Sequence, residues 1–326
     1  MLVVCGEAVL DLISDGSVSG YQARPGGSPV NVAVGAARLG VPTALLARFS
    51  TGRFGRLLRS HAIDSGVDLS LSVNAEEPTT LAAVNLDSAG TATYDFYVQG
   101  TADWGWQASE LPDPLPEPVQ ALHLGSIASW RAPSAGPIAE LVVREHQRGA
   151  VLISFDPNLR PALVEDPGGT RARIEQLVQV AHLVKVSVED LSWLYPVEDP
   201  DAAAQRWGHA GPSLVVLTDG AAGARAYRDD RPACAIPACV MPVVDTVGAG
   251  DAFAAGLLAA LAERDLLSPS GLGEVADSEL EAILASAEVV AALTCTRAGA
   301  DPPSRAERDA ALAHDSGPLL GQRGRV

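Results

Sequence analysis

The stretch Val243–Leu261, VVDTVGAGDAFAAGLLAAL, changes character in its middle. An apolar, strand-like start runs into Asp245-Thr246, then Gly248-Ala249-Gly250, then Asp251 and an apolar run of helix length. Helix capping explains part of the pattern, because Asp is favourable near a helix N-terminus and glycines permit the tight turn. It does not explain why two acids flank a loop so poor in side chains. Such a loop exposes backbone N–H groups, and those around Val247 to Asp251 can converge on an anion. An acid in the same turn can accept a hydroxyl proton while the amides hold a developing negative charge. Phosphoryl transfer to an alcohol needs both parts.

The surrounding chain sets the frame for that turn. Short apolar runs (MLVVC, TALLARF, VQALHLG, AVLISFD, HLVKVS and SLVVLTD) alternate with helix-length segments such as SPVNVAVGAARLG and SAGPIAELVVREHQRG. This alternation predicts βαβ units, an α/β fold and a mainly parallel sheet, with the site at the carboxyl ends of the strands. Residues 8–26 and about 72–106 break the rhythm and read as short strands with turns. The second of these holds a hairpin around Asp87-Ser88-Ala89-Gly90. Together they predict a small β sheet projecting from the main layer as a lid. Residues 1–305 read as one domain, and 306–326 as a polar C-terminal tail.

Composition narrows the function. The 326 residues are 47% hydrophobic, ample for a core, and carry a formal net charge of −17. That charge argues against nucleic acid or an anionic membrane as partner. The four cysteines, Cys5, Cys234, Cys239 and Cys295, show no CxxC spacing, so reduced thiols and a cytoplasmic location are expected. The apolar start is interrupted by Glu7 and Asp11 and reads as a first strand, not a signal peptide. No apolar run is long enough to predict a membrane span. Lys185 is the only lysine and is followed by Val186, which excludes a Walker A phosphate loop.

Two further stretches carry chemistry. In RPGGSPVNVAVGAARLG, Arg24–Gly40, Ser28 is placed to cap a helix that starts at Pro29, and Gly26 and Gly27 let a ligand approach the backbone. Asn31 lies in the first turn beside them. An ordinary capped helix fits the same residues. Asp11 closes an otherwise apolar strand, either at an exposed edge or aimed at a polar ligand. His123, at a strand end, reads as structural.

GGSPVNVAVGAARLG and DTVGAGDAFAAGLLAAL resemble the two signature regions of the ribokinase-like (PfkB) carbohydrate kinases, and the likeness extends over roughly residues 1–305. EPTTLAAVNLD, SFDPNLRPAL and LVKVSVEDL are similar to bacterial fructokinases in particular. The resemblance implies a three-layer α/β/α sandwich with a β lid. It implies ATP-dependent phosphorylation of a primary hydroxyl of a small sugar, best matched by fructose to fructose 6-phosphate, with ribose, keto-deoxygluconate or a nucleoside as alternatives. Asp251 would then be the base, and Gly248, Ala249 and Gly250 the anion hole. Asp11, Gly27, Asn31, Asn158 and Arg160 would hold the sugar. Lys185, Ser187, Thr218, Gly220 and Gly223 would border ATP. Asp245, with carbonyls near Val247, Thr294 and Gly299, would hold a monovalent cation, potassium. Magnesium would bridge the phosphates near Asp190, or near Glu189 if the loop is shifted. The resemblance also allows a homodimer through the lid, since lid-mediated dimers occur among relatives. The chain departs from the pattern at Val98, where an Arg is common, and at Trp104 and Trp106, which either stack on a sugar or pack the lid. A silent sugar-binding regulator on the same fold, and a dinucleotide oxidoreductase, are rival readings. The intact Gly-Ala-Gly-Asp run opposes the first, and the missing GxGxxG the second.

Overall fold

The computed structural model describes residues 1–14, 17, 20–86, 92–229 and 231–315. The strands are β1 (Leu2–Cys5), β2 (Val9–Ser14), β3 (Tyr21–Gly26), β4 (Thr43–Leu46), β5 (Arg48–Ser50), β6 (Val73–Ala75) and β7 (Leu81–Leu86), followed by β8 (Ala92–Tyr97), β9 (Ala121–Gly125), β10 (Leu152–Asp156), β11 (Leu183–Ser187), β12 (Leu214–Thr218), β13 (Ala224–Arg228) and β14 (Arg231–Ile236). The helices are α1 (Ser28–Arg38), α2 (Arg53–Asp64), α3 (Ile127–Trp130), α4 (Ala135–Arg148), α5 (Pro167–Val180) and α6 (Val188–Leu194), followed by α7 (Pro200–Ala210), α8 (Ala249–Ala262), α9 (Pro269–Glu274), α10 (Asp277–Cys295) and α11 (Arg305–Asp315).

Among the described residues an eight-stranded sheet has the order β14-β13-β12-β11-β10-β9-β1-β4. It is parallel from β12 to β4, and β13 and β14 add an antiparallel edge. Successive side chains of a strand point to opposite faces. Leu2 and Val4 of β1 therefore enter the core beneath α1, α8 and α10, while Val3 and Cys5 enter the core beneath α4, α5 and α7. Two apolar cores on one sheet make the three layers, and they explain why the strands read as continuous apolar runs.

A second sheet, β3-β2-β7-β8, is built from residues 9–14, 21–26, 81–86 and 92–97. Its extent is narrower than the sequence implied. β6 pairs with β5, and Val98, Trp104 and Trp106 are buried in the main core. The tryptophans pack because their large apolar area outweighs the gain of facing solvent. The hairpin turn expected at residues 87–90 lies outside the described residues, though β7 and β8 do pair antiparallel, Leu86 opposite Ala92. Of the expected tail, residues 306–315 belong to α11, and 316–326 lie outside the described residues. Arg308 of that helix is buried against Glu263 at 2.8 Å, which ties the segment to the end of α8.

Candidate active site

Asp251 lies in the first turn of α8, which starts after Gly248 in the left-handed region (φ +78°). Its carboxylate does not cap its own helix. Oδ1 accepts from Ser28 Oγ at 2.7 Å and from Asn158 Nδ2 at 3.2 Å, and Oδ2 accepts from Asn31 Nδ2 at 2.8 Å. Ser28, expected to cap α1, gives its hydroxyl to this acid instead, and α1 has Gly27 at the cap with no side-chain bond.

The meeting of α1 and α8 follows from small residues. A Cβ on Gly35 would lie 2.7 Å from Ala255 Cβ, so the helices touch there almost backbone to backbone. One turn towards the N-terminus on each helix lie Asn31 and Asp251, which this contact brings within hydrogen-bonding reach. Gly256 packs as closely on α10, where an added Cβ would sit 2.9 Å from Ala287 Cα.

The backbone before Asp251 is arranged for an anion. The Ala249 N–H is spent on the Thr246 carbonyl at 3.2 Å, and the Ala252 N–H on Gly248 at 2.8 Å. Among the described residues, the Gly250 and Asp251 amides are left at the open helix start, where the dipole adds positive potential.

A buried charge cluster backs this turn. Lys185 Nζ donates to Asp156 Oδ2 at 3.0 Å, and an added Cβ on Gly250 would lie 3.1 Å from that nitrogen. Burial alone would lower the ammonium pKa, but Asp156, with help from Asp190 and Asp251, raises it. Asp190 is pushed up to about 6, by burial first and then by Asp156. Its Oδ1 accepts from the Leu159 amide at 3.1 Å, whereas Glu189 is exposed, so Asp190 is the acid that joins the cluster. Burial also raises Asp251; the Asn31 and Ser28 bonds pull it partly back, Asp156 raises it further, and Lys185 opposes that.

On the facing wall, Asp11 of β2 lies over Gly26, where a Cβ would come within 2.3 Å of its carboxylate. Burial lifts Asp11 to about 6 against the pull of Arg160. The Arg160 guanidinium donates to Asn158 Oδ1 at 2.6 Å and so holds the amide that reaches Asp251. Gly27 (φ +94°) rests on residues 7–9, where a Cβ would come 2.8 Å from the Glu7 carbonyl oxygen and 2.9 Å from the Val9 nitrogen.

Other expected residues lie around this centre. Ser187 and Thr218 are neighbours across β11 and β12, and the Ser187 hydroxyl accepts from the Asp190 amide at 3.0 Å. Gly220 and Gly223 form the turn into β13, both at positive φ. Asp245 bridges two loops, accepting from the Val247 amide at 3.0 Å and the Gly299 amide at 2.8 Å. The carbonyls of Thr294 and Gly299 each accept one backbone N–H, from Arg297 and Asp301, and each keeps a second lone pair. His123 is buried against Ser154, and burial lowers it to about 4. Sequence reasoning missed Ser28 as a partner of the acid and Asp156 as the counter-ion of Lys185. Asp156 opens the same DPNLR motif from which Asn158 and Arg160 were read.

The model of the pfkB family carbohydrate kinases matches residues 1–307. The chain belongs to that family. This kinase is 38% identical over 271 residues to a fructokinase of Rhizobium leguminosarum bv. trifolii, an alignment covering 82% of each chain. The crystal structure of a Xylella fastidiosa fructokinase with bound ATP superposes with a TM-score of 0.88 at 27% identity, covering 97% of this kinase and 99% of that chain. A double mutant of Vibrio cholerae O395 fructokinase, with fructose, ADP and potassium ion bound, gives 0.82 at 30% identity, covering 95% and 97%. Among the described residues no helix is long and apolar enough to cross a membrane.

Proposed function

We propose that this carbohydrate kinase transfers the γ-phosphate of ATP to the primary 6-hydroxyl of fructose. The observation that carries the reading is the Asp251 carboxylate, buried at the start of α8 and held by Ser28, Asn31 and Asn158 beside unspent amides. The hydroxyl O–H breaks as its proton passes to Asp251, a new O–P bond forms, and the bond from phosphorus to the ADP oxygen breaks. The Gly250 and Asp251 amides stabilise the charge on the transferring group. Asp11, Gly27 and Asn31 orient the sugar, with Asn158 and Arg160 at its border, and β2, β3, β7 and β8 cover it and exclude water. Ser187, Thr218, Gly220 and Gly223 border the nucleotide, and Lys185 lies beside its phosphates. Asp245 with the carbonyls near Val247, Thr294 and Gly299 is an all-oxygen donor set, suited to a hard cation such as potassium. Asp190 is the acid near which magnesium on the phosphates would be held, chiefly through water.

The fructokinase relatives support fructose as acceptor. The test is ATP consumption with fructose, ribose, keto-deoxygluconate and a nucleoside, at fixed magnesium, with and without potassium. The reading predicts the highest kcat/KM for fructose and a gain with potassium. Higher kcat/KM for another acceptor would overturn the sugar, and equal turnover without potassium would overturn the cation site.

A further inference from the structure

Asp103 is among the most deeply buried acids of the molecule, at 1% exposure, and the proposed reaction does not use it. It lies in a short turn, Ala102–Trp104, wedged into the core by Trp104 and Trp106. Its Oδ1 accepts the Ala8 amide at 2.7 Å, and the Thr80 hydroxyl lies beside the carboxylate. Ala8 lies between the end of β1 and the start of β2, outside either ladder, so this acid satisfies a buried N–H the sheets leave over. The neighbouring Glu7 is equally buried and accepts the Ile127 and Ala128 amides at 3.2 and 2.9 Å, anchoring the same turn to α3. The Glu7–Val9 turn thus has two carboxylate tethers. Gly27 rests on its backbone, and Asp11 follows two residues beyond it on β2.

We propose that Asp103 is a positioning residue for the acceptor sugar, fixing the Glu7–Val9 turn that seats Gly27 and delivers Asp11. The inference rests on the reading that the acceptor lies against Asp11 and Gly27. On the same reading ATP borders Ser187 and Thr218 on β11 and β12, which are separated from β1 by β9 and β10, so its binding does not depend on this turn.

Three variants test it, with KM measured separately for fructose and ATP. Asp103→Leu keeps the bulk but offers the Ala8 amide no acceptor, and it raises fructose KM about tenfold or more, with ATP KM within about twofold. Asp103→Asn retains an acceptor oxygen and restores fructose KM to within about threefold of the parent. An unchanged fructose KM in Asp103→Leu, or equal rises for both substrates, overturns the proposal. Asp11→Asn is run in parallel. If it leaves fructose KM unchanged, the acceptor-site reading falls and this inference with it; if Asp11 matters and Asp103 does not, only the inference falls. Should the leucine variant fail to fold, Asp103→Ser, whose short hydroxyl cannot reach the Ala8 amide, takes its place: fructose KM then rises about tenfold with ATP KM within about twofold, and an unchanged fructose KM overturns the proposal.

Discussion

At the scale of single residues, Asp251 is a carboxylate whose surroundings set its basicity. Burial raises it, the Asn31 and Ser28 bonds pull it back, Asp156 raises it again and Lys185 opposes that. A base works deprotonated, so kcat/KM is retained above its raised pKa and lost as pH falls through it. We expect the acid limb of the kcat/KM profile to lie clearly above the ordinary Asp range of about 3.9. An acid limb that stays within that ordinary range would contradict this buried acid as the base. The acid was legible in the sequence because it follows Gly-Ala-Gly within one turn. Its partners were only half legible. Asn31 was readable from its place in the first turn beside the glycines, but Ser28 looked like a cap, a role its residue type and position fit equally well. Only the crossing of two helices distant in sequence shows which partner its hydroxyl takes.

At the scale of elements, the site depends on how closely α1 and α8 approach. Gly35 and Ala255 set that distance, and Asn31 and Asp251 lie one turn above them. Gly35→Ala places a methyl 2.7 Å from Ala255 Cβ, so a helix must shift. Overpacking costs about 1–3 kcal/mol, offset by about 1 kcal/mol of helix propensity. The larger effect falls on geometry: displacing Asn31 from Asp251 lowers kcat about ten- to a hundred-fold, since ångström-scale misplacement is felt at that level. Gly136→Ala in α4, where an added Cβ meets open space, is the control and should leave kcat unchanged. A Gly35→Ala enzyme with parental kcat would show that the helix contact does not position the acid. Most strands were legible because buried parallel strands are continuous apolar runs between turn residues. Helix α11 was not: its sequence, RAERDAALAHD, is polar overall, and it is held by Arg308 on Glu263, a pairing no local pattern displays.

At the scale of the whole molecule, one parallel sheet gathers the chemistry at its carboxyl ends. Gly6-Glu7 after β1, Asp156 at the end of β10, and Ser187 and Thr218 ending β11 and β12 all meet there. The second sheet supplies Asp11 opposite, and the break in the βαβ rhythm announced it; its limits were not readable, because the tryptophan-rich segment after β8 belongs to the main core. The central claim is that these parts serve Asp251 as a proton acceptor, and Asp251→Asn tests it most directly. The substitution preserves shape and suits a helix start as well as Asp does. We expect kcat to fall by about 10²–10⁴, with fructose and ATP still binding and the melting temperature not lowered. A melting temperature that drops while kcat stays within a few-fold of the parent would mean that Asp251 holds the fold and not the proton.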